Sequence, residues 1–130
     1  MEIPRIMVYL DTHLVLWLYA GSLDLISKYV LRLLDENDLY LSPIVELELQ
    51  FLKESKRIKK APRHIIEALH KEINVKFCTK DFHNIIQESL NLHWTRDPFD
   101  RILVAHAALN KNVLLTKDDI IRANYKQALW

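Results

Sequence analysis

The chain has 130 residues, half of them hydrophobic, with 18 Lys and Arg against 17 Asp and Glu, one cysteine, one glycine and four prolines. That length fits one domain, 1–130, with apolar residues enough for a core, and the net charge of +1 excludes a uniformly basic chain while leaving room for a local basic face. A single cysteine excludes an intrachain disulfide framework and fits a reducing, cytoplasmic setting, and no apolar run approaches the roughly 18–20 residues that span a membrane.

Ile6–Leu10 (IMVYL) is a short continuous apolar run, which predicts a strand buried on both faces and ended by Asp11. Thr12 is placed to cap the following helix, which carries Leu14, Trp17 and Leu18 and stops at Gly21-Ser22. Apolar residues at 25, 26, 30, 33 and 34 predict a second helix. Glu36-Asn37-Asp38 is a turn and Leu39–Leu41 a second strand. Ser42-Pro43 then combines a cap residue with proline at the first helical position. The helix it opens runs through Leu47, Leu49, Phe51 and Leu52 into the charged segment KESKRIKK.

Pro62 opens a further helix to about Lys71, and Ile73–Cys78 (INVKFC) alternates, predicting a third strand. Thr79 begins a helix through Phe82, Ile85, Ile86 and Leu90. Asp97-Pro98 repeats the cap-then-proline signal before the mostly apolar, hence buried, helix FDRILVAHAALN. Val113–Thr116 is a fourth strand, Asp118 opens a short last helix, and Ala128–Trp130 adds a fifth short strand. There is no internal repeat and no linker-like segment. Strands alternating with helices predict a three-layer α/β/α sandwich around a short parallel sheet of four to five strands.

Four acids stand at strand ends or helix starts: Asp11, Glu48, Asp100 and Asp118. Parallel neighbouring strands bring their carboxyl ends together, and open α/β sheets place their sites at that edge. Crowded carboxylates raise one another's pKa unless a cation joins them, and hard oxygen ligands suit Mg²⁺ or Mn²⁺. Each acid also has a plainer reading. Asp11 is a preferred helix cap, and Asp97 with Asp100 has the spacing of a reciprocal capping pair. Asp118 or Asp119 is a first-turn acid favoured by the helix dipole. Glu46 and Glu48 lie about 200° apart on one helix, so both cannot face one site. Glu48 shares the apolar line of Ile44 and Leu52, whereas Glu46 is expected in solvent. Thr12, Thr116 and Arg101 are placed to orient either the acids or a phosphate.

The six histidines carry no metal-protease spacing, and one glycine excludes a phosphate-cradling glycine loop. Cys78 reads as a core cysteine, and Trp17, Trp94 and Trp130 as core or interface rather than as base-stacking platforms. Lys53, Lys56, Arg57, Lys59, Lys60 and Arg63 form the densest basic cluster, either a phosphate-tracking face or a solvated helix end.

The segments LDTHLVLWL (10–18), LSPIVELEL (41–49), WTRDPFDRILVAHAAL (94–109) and LLTKDDIIRANY (114–125), in this order and context, resemble the PIN domain, and within it the VapC-like ribonuclease toxins of prokaryotic toxin–antitoxin pairs. The resemblance covers nearly the whole chain. It implies that Asp11 and Asp100 are the principal metal ligands. It favours Glu48, six residues after Ser42, over Glu46, and adds Asp118 as the fourth acid. It further implies a Mg²⁺- or Mn²⁺-dependent endoribonuclease acting on RNA, a homodimer, and a cognate antitoxin. A non-catalytic PIN-like RNA- or protein-binding module is the alternative. A phosphoryl-transferring domain using Asp11 as nucleophile is a weaker one, because LDTH lacks the second aspartate of haloacid-dehalogenase-type motifs.

Overall fold

The computed structural model describes residues 4–130. Its strands are β1 (Met7–Leu10), β2 (Asp38–Leu41), β3 (Lys76–Phe77), β4 (Val113–Leu115) and β5 (Ala128–Leu129). Its helices are α1 (Thr12–Ala20), α2 (Lys28–Glu36), α3 (Pro43–Glu54), α4 (Pro62–Ile73), α5 (Phe82–Ser89), α6 (Pro98–Ala108) and α7 (Asp119–Asn124), with a 3₁₀ turn at Leu23–Leu25. All strand pairs are parallel, in the order β3-β2-β1-β4-β5. The result is the expected α/β sandwich.

The central strand explains its own sequence. Val8, Tyr9 and Leu10 are fully buried because β1 has a strand on each side and helices on both faces. On α6, Leu103 to Ala107 are all buried, which is why that helix is apolar almost all round. The chain leaves β1 toward β2 and β3, then crosses to β4 on the other side. The strand order therefore reverses between β1 and β4, and their carboxyl ends frame the crevice where open α/β sheets place sites.

Several boundaries differ from the sequence expectation for physical reasons. The alternating segment 73–78 yields only Lys76–Phe77 as strand. Helix α4 keeps Ile73, and Asn74 turns the chain in the left-handed region at φ 57°, which asparagine tolerates. The helix expected from residue 25 begins at Lys28, because the Ser27 hydroxyl accepts the Val30 N–H and fixes the start there. Thr12 does not cap α1: Asp11 occupies the cap position, and the Thr12 side chain is used elsewhere. Helix α5 starts behind an Asp81 cap rather than at Thr79. On α3 the buried line is Val45, Leu49 and Leu52, leaving Leu47 and Phe51 about half exposed. The tail strand closes at Leu129, one residue short of Trp130.

Candidate active site

Asp11, Glu48, Asp100 and Asp118 line one open cavity of about 360 Å³ at the carboxyl edge of the sheet, together with His13, Trp17 and Lys117. Each acid arrives on a different element. Asp11 ends β1, Glu48 lies in the second turn of α3, Asp100 in the first turn of α6, and Asp118 at the cap of α7.

Two buried threonines hold two of the acids. Thr116, fully buried at the end of β4, donates its hydroxyl to Asp11 Oδ2 at 2.5 Å. Thr12, 1 % exposed, donates to Glu48 Oε1 at 2.5 Å. Asp11 makes no side-chain capping bond to α1, so helix capping does not account for its carboxylate. The Asp118 amide donates to Thr116 Oγ1 at 3.1 Å, while the Asp118 carboxylate accepts the Ile121 N–H at 2.9 Å. Asp118 thus caps α7 and lines the cavity at once.

The pair on α6 divides its labour. Asp97 Oδ1 accepts the N–H groups of Phe99 and Asp100 at 2.8 and 3.3 Å. The reciprocal bond of a capping box is absent, because the Asp97 N–H goes to Thr95 Oγ1 at 3.1 Å. The Asp100 carboxylate is left for the cavity. Glu46 is exposed and outside the cavity, as its 200° separation from Glu48 requires. Arg101 is not among the residues lining the cavity. One residue beyond Asp100 it points about 100° round the helix, and its Nε donates to the Leu92 carbonyl at 3.1 Å, fastening the preceding loop.

The electrostatics record the convergence. Asp100 is pushed up to about 7, first by burial and then by the charges of Asp97, Asp118, Asp11 and Glu48. Burial also drives Asp11 above the usual carboxylate range, against the pull of Thr116 and His13. Glu48 is raised by burial and by Asp11, with Thr12 and His13 opposing. No salt bridge reaches any of the four acids among the described residues. The donors are carboxylate oxygens backed by hydroxyls, a set whose hardness and uncompensated charge fit a divalent ion such as Mg²⁺. Among the described residues, no three His, Cys, Asp or Glu side chains stand close enough together to enclose one ion. The fit is one of donor chemistry and charge.

The basic cluster lies outside this cavity. Lys53, Lys56, Arg57, Lys59 and Lys60 are exposed at the end of α3 and in the turn before α4, where Lys56 takes a left-handed φ of 63°. Arg63 pairs with Glu67 at 2.9 Å. Three cavity residues escaped the sequence reading as site residues. His13 and Trp17 share a helix face at i, i+4, and Lys117 sits between Thr116 and Asp118, so proximity to the acids was the signal available.

Comparisons with known proteins agree with this architecture. A PIN domain model matches residues 8–127. Curated protein sequences give no match. Among solved structures, the chain is similar to one from VapBC2 of Rickettsia felis bound to a DNA fragment from its promoter, with 17% identity, a TM-score of 0.66 and coverage of 96% of this chain and 98% of that one. It is also similar to one from VapBC-1 of nontypeable Haemophilus influenzae, with 20% identity, a TM-score of 0.63 and 96% of each chain covered. A third, from DNA-bound VapBC of Salmonella typhimurium, has 17% identity and a TM-score of 0.61, covering 95% of this chain and 96% of that one. With the family model running from Val8 in β1 through β4 and α7 to the residue before β5, the chain belongs to the PIN domain family.

Proposed function

We propose that this protein is a divalent-metal-dependent endoribonuclease that hydrolyses RNA phosphodiester bonds, and that it serves as the toxin of a toxin–antitoxin pair. PIN domains are in general nucleases, and solved structures similar to this chain are VapBC complexes. The observation that carries the reading is the convergence of four carboxylates from four elements on one cavity, with Asp100 raised to about 7 and no cation paired to any of them.

Asp11 and Asp100 would hold the principal Mg²⁺ or Mn²⁺, with Glu48 and Asp118 completing the acidic pocket. Such an ion supplies a water made nucleophilic near neutral pH and charge stabilisation at the phosphorus centre. The chain's own residues do the positioning. Thr116 fixes the Asp11 carboxylate and Thr12 fixes Glu48, so neither turns freely in the cavity. Asp97 secures the first turn of α6 and with it the height of Asp100. The exposed lysines and arginine 56, 57, 59 and 60 contact the RNA backbone, since a cavity of acids cannot attract a polyanion from a distance.

Exposed apolar side chains offer surface for a homodimer and for the antitoxin. They are Leu25 and Tyr29 around the start of α2, and Leu47 and Phe51 on α3. The test is cleavage of single-stranded RNA by the purified protein with Mn²⁺ or Mg²⁺, against chelator and against Asp100→Asn. Metal-dependent cleavage lost in the variant is the expected result. Tight metal binding with no turnover would instead establish the non-catalytic module.

A further inference from the structure

One wall of the acidic cavity is not acidic. His13 and Trp17 stand one turn apart on α1, their ring centroids 6.1 Å apart. Trp130 meets Trp17 edge-on, at 5.7 Å and 65°, because Leu129 pairs with Leu115 and so delivers the next residue to the same sheet edge as Thr116 and Lys117. The Lys117 ammonium stands 5.9 Å from the centre of the Trp17 ring. Three separated pieces of chain thus build one aromatic and cationic surface: α1, the loop after β4, and the residue after β5.

We propose that this wall is a nucleotide subsite, in which Trp17, flanked by His13 and Trp130, stacks a base of single-stranded RNA while Lys117 holds a neighbouring phosphate. The inference rests on the nuclease reading and names where its substrate is gripped. A phosphodiester brought among four carboxylates needs a cation close at hand. Lys117 is the one lysine or arginine lining the cavity among the described residues, and it forms no ion pair there. Trp17 keeps part of its surface open although it packs against the core, and the edge of Trp130 sets its plane. An aromatic face with an ammonium over it that is in no salt bridge is a combination that grips unpaired nucleotides once the flexible lysine swings to the phosphate, and stacking of this kind accepts any base. The wall begins two residues after Asp11, so a base seated on it leaves its phosphate next to the acids.

The experiment uses the full chain carrying Asp100→Asn, to prevent cleavage. The probes are a mixed-sequence single-stranded RNA octamer and an abasic ribose-phosphate octamer of equal length. The RNA octamer should quench tryptophan emission, and Trp17→Phe should remove the Trp17 share of that quench. Trp17→Leu should weaken binding by about 5- to 150-fold, the range of one lost base stack. Lys117→Gln should flatten the slope of log affinity against log salt by about 0.7, one phosphate contact on a single strand. The abasic octamer should bind without the quench. If Trp17→Leu fails to fold, the exposed variants His13→Ala and Lys117→Gln carry the test, and unchanged RNA affinity and salt slope in both would overturn the subsite. Equal quenching by the abasic octamer would overturn it too. The two readings fail separately. If the wild-type protein cleaves RNA while Trp17→Leu binds it unimpaired, the subsite is wrong and the nuclease stands. If the wild-type protein cleaves nothing yet RNA quenches Trp17, the nuclease reading falls and the subsite stands as an RNA-binding site.

Discussion

Two polar clusters lie in this molecule, one inside the sandwich and one at the sheet edge, and they treat charge in opposite ways. Inside, the Tyr9 hydroxyl donates to Cys78 Sγ at 3.1 Å, and Lys80 donates to the His106 carbonyl and to Asn112 Oδ1 at 2.5 and 2.7 Å. The Lys80 ammonium also stands 4.9 Å from the Tyr9 ring centre. His106 Nδ1 bonds with Ser42 Oγ at 2.9 Å, and the Tyr125 hydroxyl donates to the Asn112 carbonyl at 2.5 Å. Burial lowers Lys80 and His106, raises Tyr9, and pushes Tyr125 up to about 12. One ammonium is met there by two amide oxygens and a ring face, and among the described residues no buried side-chain polar atom lacks a partner. At the edge, four acids line one cavity with hydroxyls behind two of them, and among the described residues none of the four is in a salt bridge. A cluster whose members satisfy one another holds the fold, whereas one whose members repel needs something from outside.

The largest effect that would break this contrast is on turnover. Asp11→Asn and Asp100→Asn should each lower metal-dependent RNA cleavage by more than about 100-fold, beyond what loss of an outer-shell partner costs. Cleavage near the wild-type rate in either variant would detach the acids from the chemistry. Thr116→Val and Thr12→Val come next. Each frees a carboxylate that a hydroxyl now fixes, and each should cost about 10- to 100-fold in activity or metal affinity. A matching loss of metal-free stability with no change in metal affinity would place both threonines in the fold alone.

Lys80→Met should do the reverse. It strands the Asn112 and His106 oxygens and should lower unfolding free energy by about 1–3 kcal/mol in urea titration, with the metal response retained. The smallest effect concerns the basic turn. Replacing Lys56, Arg57, Lys59 and Lys60 with glutamine should flatten the salt slope of RNA binding by roughly one to two units, about 0.7 per phosphate contact, and leave metal binding unchanged. An unaltered slope would mean the turn is only a solvated helix end.

The fold was legible where burial on both faces left unbroken apolar runs, as in IMVYL and VLL, and where a cap preceded a proline, as at Ser42-Pro43 and Asp97-Pro98. It was less legible where one residue's backbone conformation decided a boundary. Asn74 in the left-handed region turned an alternating segment into a helix end, and the Ser27 cap split one expected helix into a 3₁₀ turn and a shorter helix. The juxtaposition of the acids was legible because parallel strands carry their ends to one edge. What each neighbour touches was not. Arg101 fastened its Nε to the Leu92 carbonyl, Thr12, placed either to cap or to hold an acid, took Glu48, and Trp17, readable as core or interface, came to line the cavity. Those outcomes depend on side-chain direction across elements far apart in sequence, which local pattern does not carry.

The central claim is that the four carboxylates form one cation site, and thermal unfolding with and without Mn²⁺, in the wild type and in Asp100→Asn, tests it most directly. Asp100 is raised in the folded protein from 3.8 to about 7, so its contribution to stability is fully present below the unfolded value and is lost as pH rises through about 7. Metal-free wild-type protein should therefore lose stability across that window, and Asp100→Asn should lose less. Above pH 7, where protons no longer compete, Mn²⁺ should restore the wild type by up to about 2.7 kcal/mol at one hundred times its Kd. Asp100→Asn should melt no lower than wild type without metal and lose most of the Mn²⁺-induced rise. An equal rise in the two proteins above pH 7 would contradict the account.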